Sequence, residues 1–340
     1  MDNFVFYLVP FTIFSILIGN LFSKKLKIYD KPEVRKIHKF PVPLSGGVSL
    51  GLLFNILVIV LLYRNNEFTY FLTTILICFN SILLVGLLDD YLDLNYKIRV
   101  FISILVFIFF INTSSFYSNI TIENFYINYF FFENFDFNFK LNTLHSIMFT
   151  IFCLLFFQFS TNMLDGINGL CVSYIFFINI LLATYNLDIL IIKQINLTLI
   201  IFTLTFFFFN IKEKSFLGDS GVYSLSFLTA VIILVHYKTN HIDFLDLIIM
   251  ALLPSLDLLR LFIRRIIAKK SPFLPDKNHL HHRLLNKIGY FKTIILFKFF
   301  FMSSLLFIYF NYQTKVLYII TSVILYLLII FATKTREKKN

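Results

Sequence analysis

The sequence predicts an all-α polytopic membrane protein, and three observations carry that reading. The 340 residues are 58% hydrophobic and only 14% charged, with a mean hydropathy of +0.81. A soluble domain of this size needs far more polar surface. Apolar runs of about 20 residues, each long enough to cross a bilayer as a helix, recur from end to end. Lys and Arg collect in alternate loops, which is the positive-inside pattern.

Eleven spans are expected, near 4–22, 45–62, 70–88, 98–112, 144–160, 169–185, 195–210, 221–237, 244–262, 293–311 and 316–333. The first has Asp2 before it and Lys24, Lys25 and Lys27 after it. It lacks the basic leader and small-residue cleavage site of a signal peptide, so it reads as a retained span. With the N-terminus outside and the C-terminus cytoplasmic, loops 23–44, 89–97, 161–168, 211–220 and 263–292 and the tail hold most of the Lys and Arg. The outer loops keep only Arg64, Lys140, Lys193, Lys238 and Lys315. The net charge of +11 is therefore mainly topological and does not point to nucleic acid, although it can attract an anionic substrate or lipid headgroup. Cys78, Cys153 and Cys171 fall within spans without ligand spacing and read as packing residues. In the long outer segment 113–143, Phe135-Asp-Phe-Asn-Phe139 alternates with period two, which predicts a short β-hairpin on the outer face. The chain reads as one integral membrane unit over 1–340, with its active site on the cytoplasmic loops.

Polar segments lie where these loops are. They are Arg35-Lys-Ile-His38 with Pro43-Leu-Ser-Gly-Gly47, Asp89-Asp-Tyr-Leu-Asp93, Asn162-Met-Leu-Asp-Gly-Ile-Asn-Gly169, Leu217-Gly-Asp-Ser-Gly221 and Pro275-Asp-Lys-Asn-His-Leu-His-His-Arg283. Five separate segments at one membrane face point to a single site. Asp89, Asp90 and Asp93 crowd at a helix C-terminus, where the dipole disfavours anions. A divalent cation would remove both objections, and oxygen-only ligands suit Mg²⁺, with Mn²⁺ as an alternative. Asp219 opens a span as an N-cap or as a metal ligand, with glycines that let a phosphate approach. Asn162, Asp165 and Asn168 recur at i, i+3, i+6, as on one helix face, for interhelical hydrogen bonds or for ligand. His279, His281 and His282 beside Asp276 fit no zinc spacing; the nearby Lys277, Arg283 and Lys287 suit phosphate better. Lys36 and His38, by default positive-inside residues, stand just before the second span.

In this order, R-K-x-H with P-L-x-G-G, L-D-D-x-x-D, N-x-x-D-G-x-x-G-L, G-D-S-G and P-D-x-x-H-x-H-H resemble the motifs of the polyprenyl-phosphate N-acetylhexosamine-1-phosphate transferases. That family starts O-antigen, enterobacterial common antigen and teichoic acid linkage assembly in the inner membrane, and the muramoyl-pentapeptide transferase is related to it. The resemblance runs from residue 30 to about 285, and the histidine motif is closer to the N-acetylglucosamine branch. It implies transfer of a sugar-1-phosphate from a UDP-N-acetylhexosamine, such as UDP-GlcNAc, to undecaprenyl phosphate, with release of UMP. It implies catalytic roles for Asp89, Asp90, Asp219, His281 and His282, with Asp89, Asp90 and Asp219 at the metal. Lys36, His38, Lys97, Asn162, Asp165, Asn168 and His279 fall to substrate binding, and a homodimer is compatible with the family. Asn168 stands where many bacterial members carry Asp.

The chemistry agrees, because an anionic phosphate must attack an anionic diphosphate and repulsion is the main obstacle. The lipid phosphate, with a second pKa near 6, is largely dianionic, so a base is optional; Asp90 is the candidate. Two rivals remain. A transporter would place polar residues near mid-membrane instead of at one face. A scaffold of the same fold, inactive through Asn168, would bind a UDP-sugar without releasing UMP.

Overall fold

Backbone polar groups in hydrocarbon must be satisfied within their own segment, so long apolar runs become helices. The computed structural model describes residues 2–32, 38–64, 69–113, 121–122, 124–128, 136–271 and 278–333. Lys36, Asp276, Lys277 and the basic tail lie outside the described residues. Each expected run is a helix: α1 (Asp2–Lys25), α2 (Gly46–Arg64), α3 (Thr69–Leu92), α4 (Tyr96–Thr113), α5 (Thr143–Leu164), α6 (Leu170–Thr184), α7 (Leu190–Ile211), α8 (Gly218–Lys238), α9 (Phe244–Ile267), α11 (Tyr290–Phe307) and α12 (Tyr312–Ala332). The additional α10 (Leu280–Ile288) lies in the 263–292 loop and carries the histidines.

Nine helices among the described residues are long and apolar enough to cross a membrane, against the eleven spans expected. The other two differ for physical reasons. α6 has only 15 residues. α9 carries Asp246, Asp257, Arg260, Arg264 and Arg265 and contains Pro254, so it is amphipathic instead of uniformly apolar.

α8 is the axis of the bundle, packed against α2, α3, α5, α6 and α7 and buried on all sides. Small residues make that possible. A Cβ on Gly86 of α3 would collide with the backbone of Ser220, and one on Gly46 would stand 2.6 Å from the Leu217 Cα. Gly46 and Gly86 therefore serve helix packing around the start of α8.

The first loop folds as a short antiparallel pair, β1 (Tyr29–Asp30) and β2 (Val42–Pro43). It is tied to the approach to α8, where Phe216 N donates to Pro43 O at 3.0 Å and Ser45 N donates to Phe216 O at 3.0 Å. The expected hairpin is present as β3 (Asn124–Asn128) against β4 (Asp136–Lys140), with Phe125 opposite Phe139. At the end of the bundle away from the motifs, Lys315 of α12 bonds Asp243 at 2.9 Å and Asp246 at 2.6 Å. These two acids form the capping box of α9.

The close approach of α3 and α8 is testable. Gly86→Ala should destabilise the detergent-solubilised protein by about 1–3 kcal/mol through overpacking, read as a lower melting temperature. Leu84→Ala, at an exposed position of the same helix, should stay within about 0.5 kcal/mol. Equal stability of the two variants would mean that α3 and α8 are not in backbone contact.

Candidate active site

The carboxylates at the end of α3 meet their partners inside the protein. Asp90 reaches across to the first turn of α8, where its Oδ1 accepts from Asp219 N at 2.7 Å. Its Oδ2 accepts from Ser220 N at 3.1 Å and Ser220 Oγ at 2.6 Å. The start of α8 has no side-chain cap of its own, so a carboxylate from another helix caps it, favourably placed at the positive end of the dipole. Gly218 has φ +70°, and a Cβ there would stand 2.6 Å from Asp90 Oδ2. Only glycine leaves room for the cap.

Asp89 faces Arg99 of α4, with Asp89 Oδ2 against Arg99 Nη1 in a close ion pair. The same nitrogen lies 3.5 Å from Asp219 Oδ2 and donates to Tyr223 Oη at 3.4 Å. Asp89 is 4% exposed, whereas Arg99 and Asp219 keep 24% and 30% of their side-chain surface. The positive charge that the crowded aspartates demand is thus supplied by Arg99 and by the α8 N-terminus, where the sequence pointed to a metal. Asp93 takes no part; it is exposed, with φ 51° just beyond the helix.

His38 is buried with its ring 5.1 Å from that of Phe216. Its Nδ1 lies 2.8 Å from Phe40 O and its Nε2 3.0 Å from Asp30 Oδ2. Lys97 is exposed at the start of α4, two residues from Arg99.

Asn162, Asp165 and Asn168 do not share a helix face. α5 ends at Leu164 with Asp165 as its C-cap, and the chain turns through Gly169 at φ +80° before α6. Asn162 stays in the last turn of α5. Asn168 donates to Glu213 Oε1 at 3.4 Å and accepts from Tyr290 Oη at 3.0 Å, holding the turn against α7 and α11. Burial, with Asp30 and Asp90 nearby, pushes the Asp165 carboxyl well above the usual carboxylate range.

Gly166 leads to the histidines, because a Cβ at this position would run into His281 Nε2. His281 is 2% exposed and its Nε2 has no partner. Burial, then His282 and His279, push its imidazole well below the ordinary histidine value, so it is neutral at neutral pH. Its ring stacks on His279 at 5.4 Å and lies 4.3 Å from His282. His279 Nδ1 is 3.2 Å from Asp257 Oδ2. The sequence reading passed over Asp257, Arg260 and Asp30; the available signal was an Asp and an Arg three apart inside an otherwise apolar run.

Asp89 and Asp219 both face Arg99 Nη1, and their hard oxygen donors would suit Mg²⁺. Among the described residues no group of three or more His, Cys, Asp or Glu is disposed as a metal cage.

Removing Arg99 should leave a buried, unpaired Asp89. Arg99→Met is expected to cost about 3–5 kcal/mol, and Asp89→Asn in the same chain should recover much of it. Additive losses in this double-mutant cycle would show that the pair is not coupled.

The profile of glycosyl transferase family 4 matches residues 70–237, the stretch from α3 through α8. An undecaprenyl-phosphate alpha-N-acetylglucosaminyl 1-phosphate transferase of Thermotoga maritima is 28% identical over 340 residues, covering 98% of this chain and 97% of its own length. The Yersinia pestis protein of that name is 26% identical over 84% of this chain and 77% of its own length. A probable undecaprenyl-phosphate N-acetylglucosaminyl 1-phosphate transferase of Bacillus subtilis is 27% identical over 81% and 75%. With the motif segments gathered at one end of an apolar helix bundle, these matches mark the chain as a multi-pass membrane phosphosugar transferase similar to the members of glycosyl transferase family 4.

Proposed function

We propose that the protein transfers N-acetylglucosamine 1-phosphate, or the 1-phosphate of a closely related N-acetylhexosamine, from its UDP-sugar to undecaprenyl phosphate, releasing UMP. The reaction would take place on the cytoplasmic face of a bacterial inner membrane and begin a cell-envelope polysaccharide. One observation carries the reading. Dispersed polar segments form one band around the start of α8, with two buried polar atoms, Arg99 Nε and His281 Nε2, left without partners. A site that orphans buried polar groups is arranged for a polar ligand. The relatives' names supply the acceptor.

An oxygen of the lipid phosphate attacks the sugar-bearing β-phosphorus. A new P–O–P bond forms while the bond to the α-phosphate breaks, and UMP leaves with the electron pair. No proton has to move when the acceptor is a dianion. Asp90, saturated by three donors, holds the start of α8 and is not needed as a base. Asp89 and Asp219 would hold Mg²⁺, which when bound neutralises charge on the diphosphate. Arg99 and Lys97 add positive charge on this side, His38 anchors the first loop beside it, and the histidines approach from the Asp165–Gly169 turn. Asn168 is bonded to Glu213 and Tyr290, so its difference from Asp falls on the turn and does not favour an inactive scaffold.

The acceptor's tail needs an apolar path. A cavity of about 320 Å³ lies among α5, α8 and α9, lined by Phe152, Phe156, Ile233, Leu247, Leu252 and Leu259. It runs towards the α9 segment that carries Asp257 and Arg260.

Purified protein with undecaprenyl phosphate, Mg²⁺ and a panel of UDP-N-acetylhexosamines should release UMP with one donor. Chelation should stop the release and added Mg²⁺ restore it. Asp219→Asn should lose most turnover while keeping its melting temperature. Full activity in this variant would remove Asp219 from the metal role, and no release with any donor would overturn the transferase reading for this chain.

A further inference from the structure

Asp257 lies on α9 and is nearly buried, yet it sits at the centre of a dense polar network. Its Oδ1 accepts from Arg260 Nη2 at 2.7 Å and Tyr326 Oη at 2.9 Å. Leu280 N donates to both oxygens, at 3.2 and 3.1 Å, and His279 Nδ1 approaches Oδ2 at 3.2 Å. Arg260 is held in turn, donating from Nε to Tyr326 Oη at 2.7 Å and from Nη2 to Asn278 O at 2.6 Å. Two helices, α9 and α12, and the start of α10 meet on one carboxylate.

An ionised carboxylate only accepts, so the nitrogen of His279 that faces it must carry a proton. We propose that Asp257 is a positioning residue for the phosphosugar transfer: it commits Nδ1–H of His279 to itself and leaves Nε2 as the edge that meets the donor's phosphates. This rests on the transferase reading above. Nε2 has no protein partner among the described residues. Nε2 is the ring nitrogen opposite Asp257, so the carboxylate fixes which edge of the ring meets the donor. The charged groups facing His279 are Asp257 and Arg260 from α9 and the rings of His281 and His282 from α10. His281 is the more deeply buried of the two, so the donor-facing position of the cluster falls to His279. Arg260 and Tyr326 hold the carboxylate and, through α12, set where the cluster stands.

The network also dictates what Asp257→Asn does. Arg260 and Tyr326 both donate at the Oδ1 position, so the amide oxygen settles there and the NH₂ takes the Oδ2 position. This NH₂ faces His279 Nδ1, which must then become a bare acceptor, and the proton moves to Nε2.

The test is the ¹⁵N spectrum of histidine-labelled full-length protein in detergent, with His279→Gln to assign the signal and UDP as the phosphate probe. In the unmodified protein the neutral ring is expected as the Nδ1–H tautomer, and UDP should shift the Nε2 resonance. In Asp257→Asn the neutral ring should switch to Nε2–H. UMP release per folded molecule should then fall about 10–100-fold. A bare Nδ1 in the unmodified protein overturns the proposal without any variant. So does Asp257→Asn with full UMP release, or with a loss that only follows the unfolded fraction. Absence of UMP release from the unmodified protein with every donor would sink the transferase reading instead, while the tautomer still decides whether Asp257 orders His279.

Discussion

The last turns of α3 pack beside the start of α8 at the motif end of the bundle, and the contact is closed by a single carboxylate. α3 finishes with Asp89 and Asp90, α8 begins with Gly218 and Asp219, and Asp90 closes the gap by accepting from the amides of Asp219 and Ser220. In a low-dielectric surround an uncapped helix start and an unpaired carboxylate are both costly. Joining them removes both costs. The geometry then constrains the neighbourhood: Gly218 must lack a side chain, Gly86 must let α8 approach, and Gly46 must fit against Leu217. Asp89 and Asp219 are brought side by side as a consequence, and Arg99 sits between them.

The histidine side is built on a different principle. Its residues come from a short helix that lacks an apolar span's anchorage, and position is supplied by a buried acid on α9 with an Arg and a Tyr around it. One side of the site is fixed by backbone contact and the other by side-chain hydrogen bonds. The turn from Asp165 to Gly169 lies between them, recessed near Asp30 and Asp90 on one flank and touching His281 on the other. A reaction that joins two anions is served by this kind of partition, with acids paired to an arginine on one flank and hydrogen-bond donors on the other.

Much of this was legible in the sequence, because length and hydropathy dictate helices in a membrane and turn residues mark their ends. The apolar runs, the hairpin at Asp136–Lys140 and the gathering of motif segments at one end of the bundle all follow from local pattern. Pairing across helices does not. Arg99 reads as an ordinary positive-inside residue until α4 is folded back beside α3, and Asp257 reads as a stray charge until α10 and α12 close over it. The spacing of Asn162, Asp165 and Asn168 suggested one helix face, but the glycines at 166 and 169 break the helix between them. Glycines that looked suited to phosphate approach are used for helix approach, a distinction that spacing alone does not carry.

Close backbone packing has a further consequence for how this architecture can diversify. Interiors packed to this density yield little, so α2, α3 and α8 form the stiff part of the molecule. Compliance falls to α9, where Pro254 removes a backbone donor and loosens the ladder one turn before Asp257. Small tilts of α9 and α10 are therefore easier than any shift of α3 against α8, and the histidine flank can move while the carboxylate flank keeps its geometry.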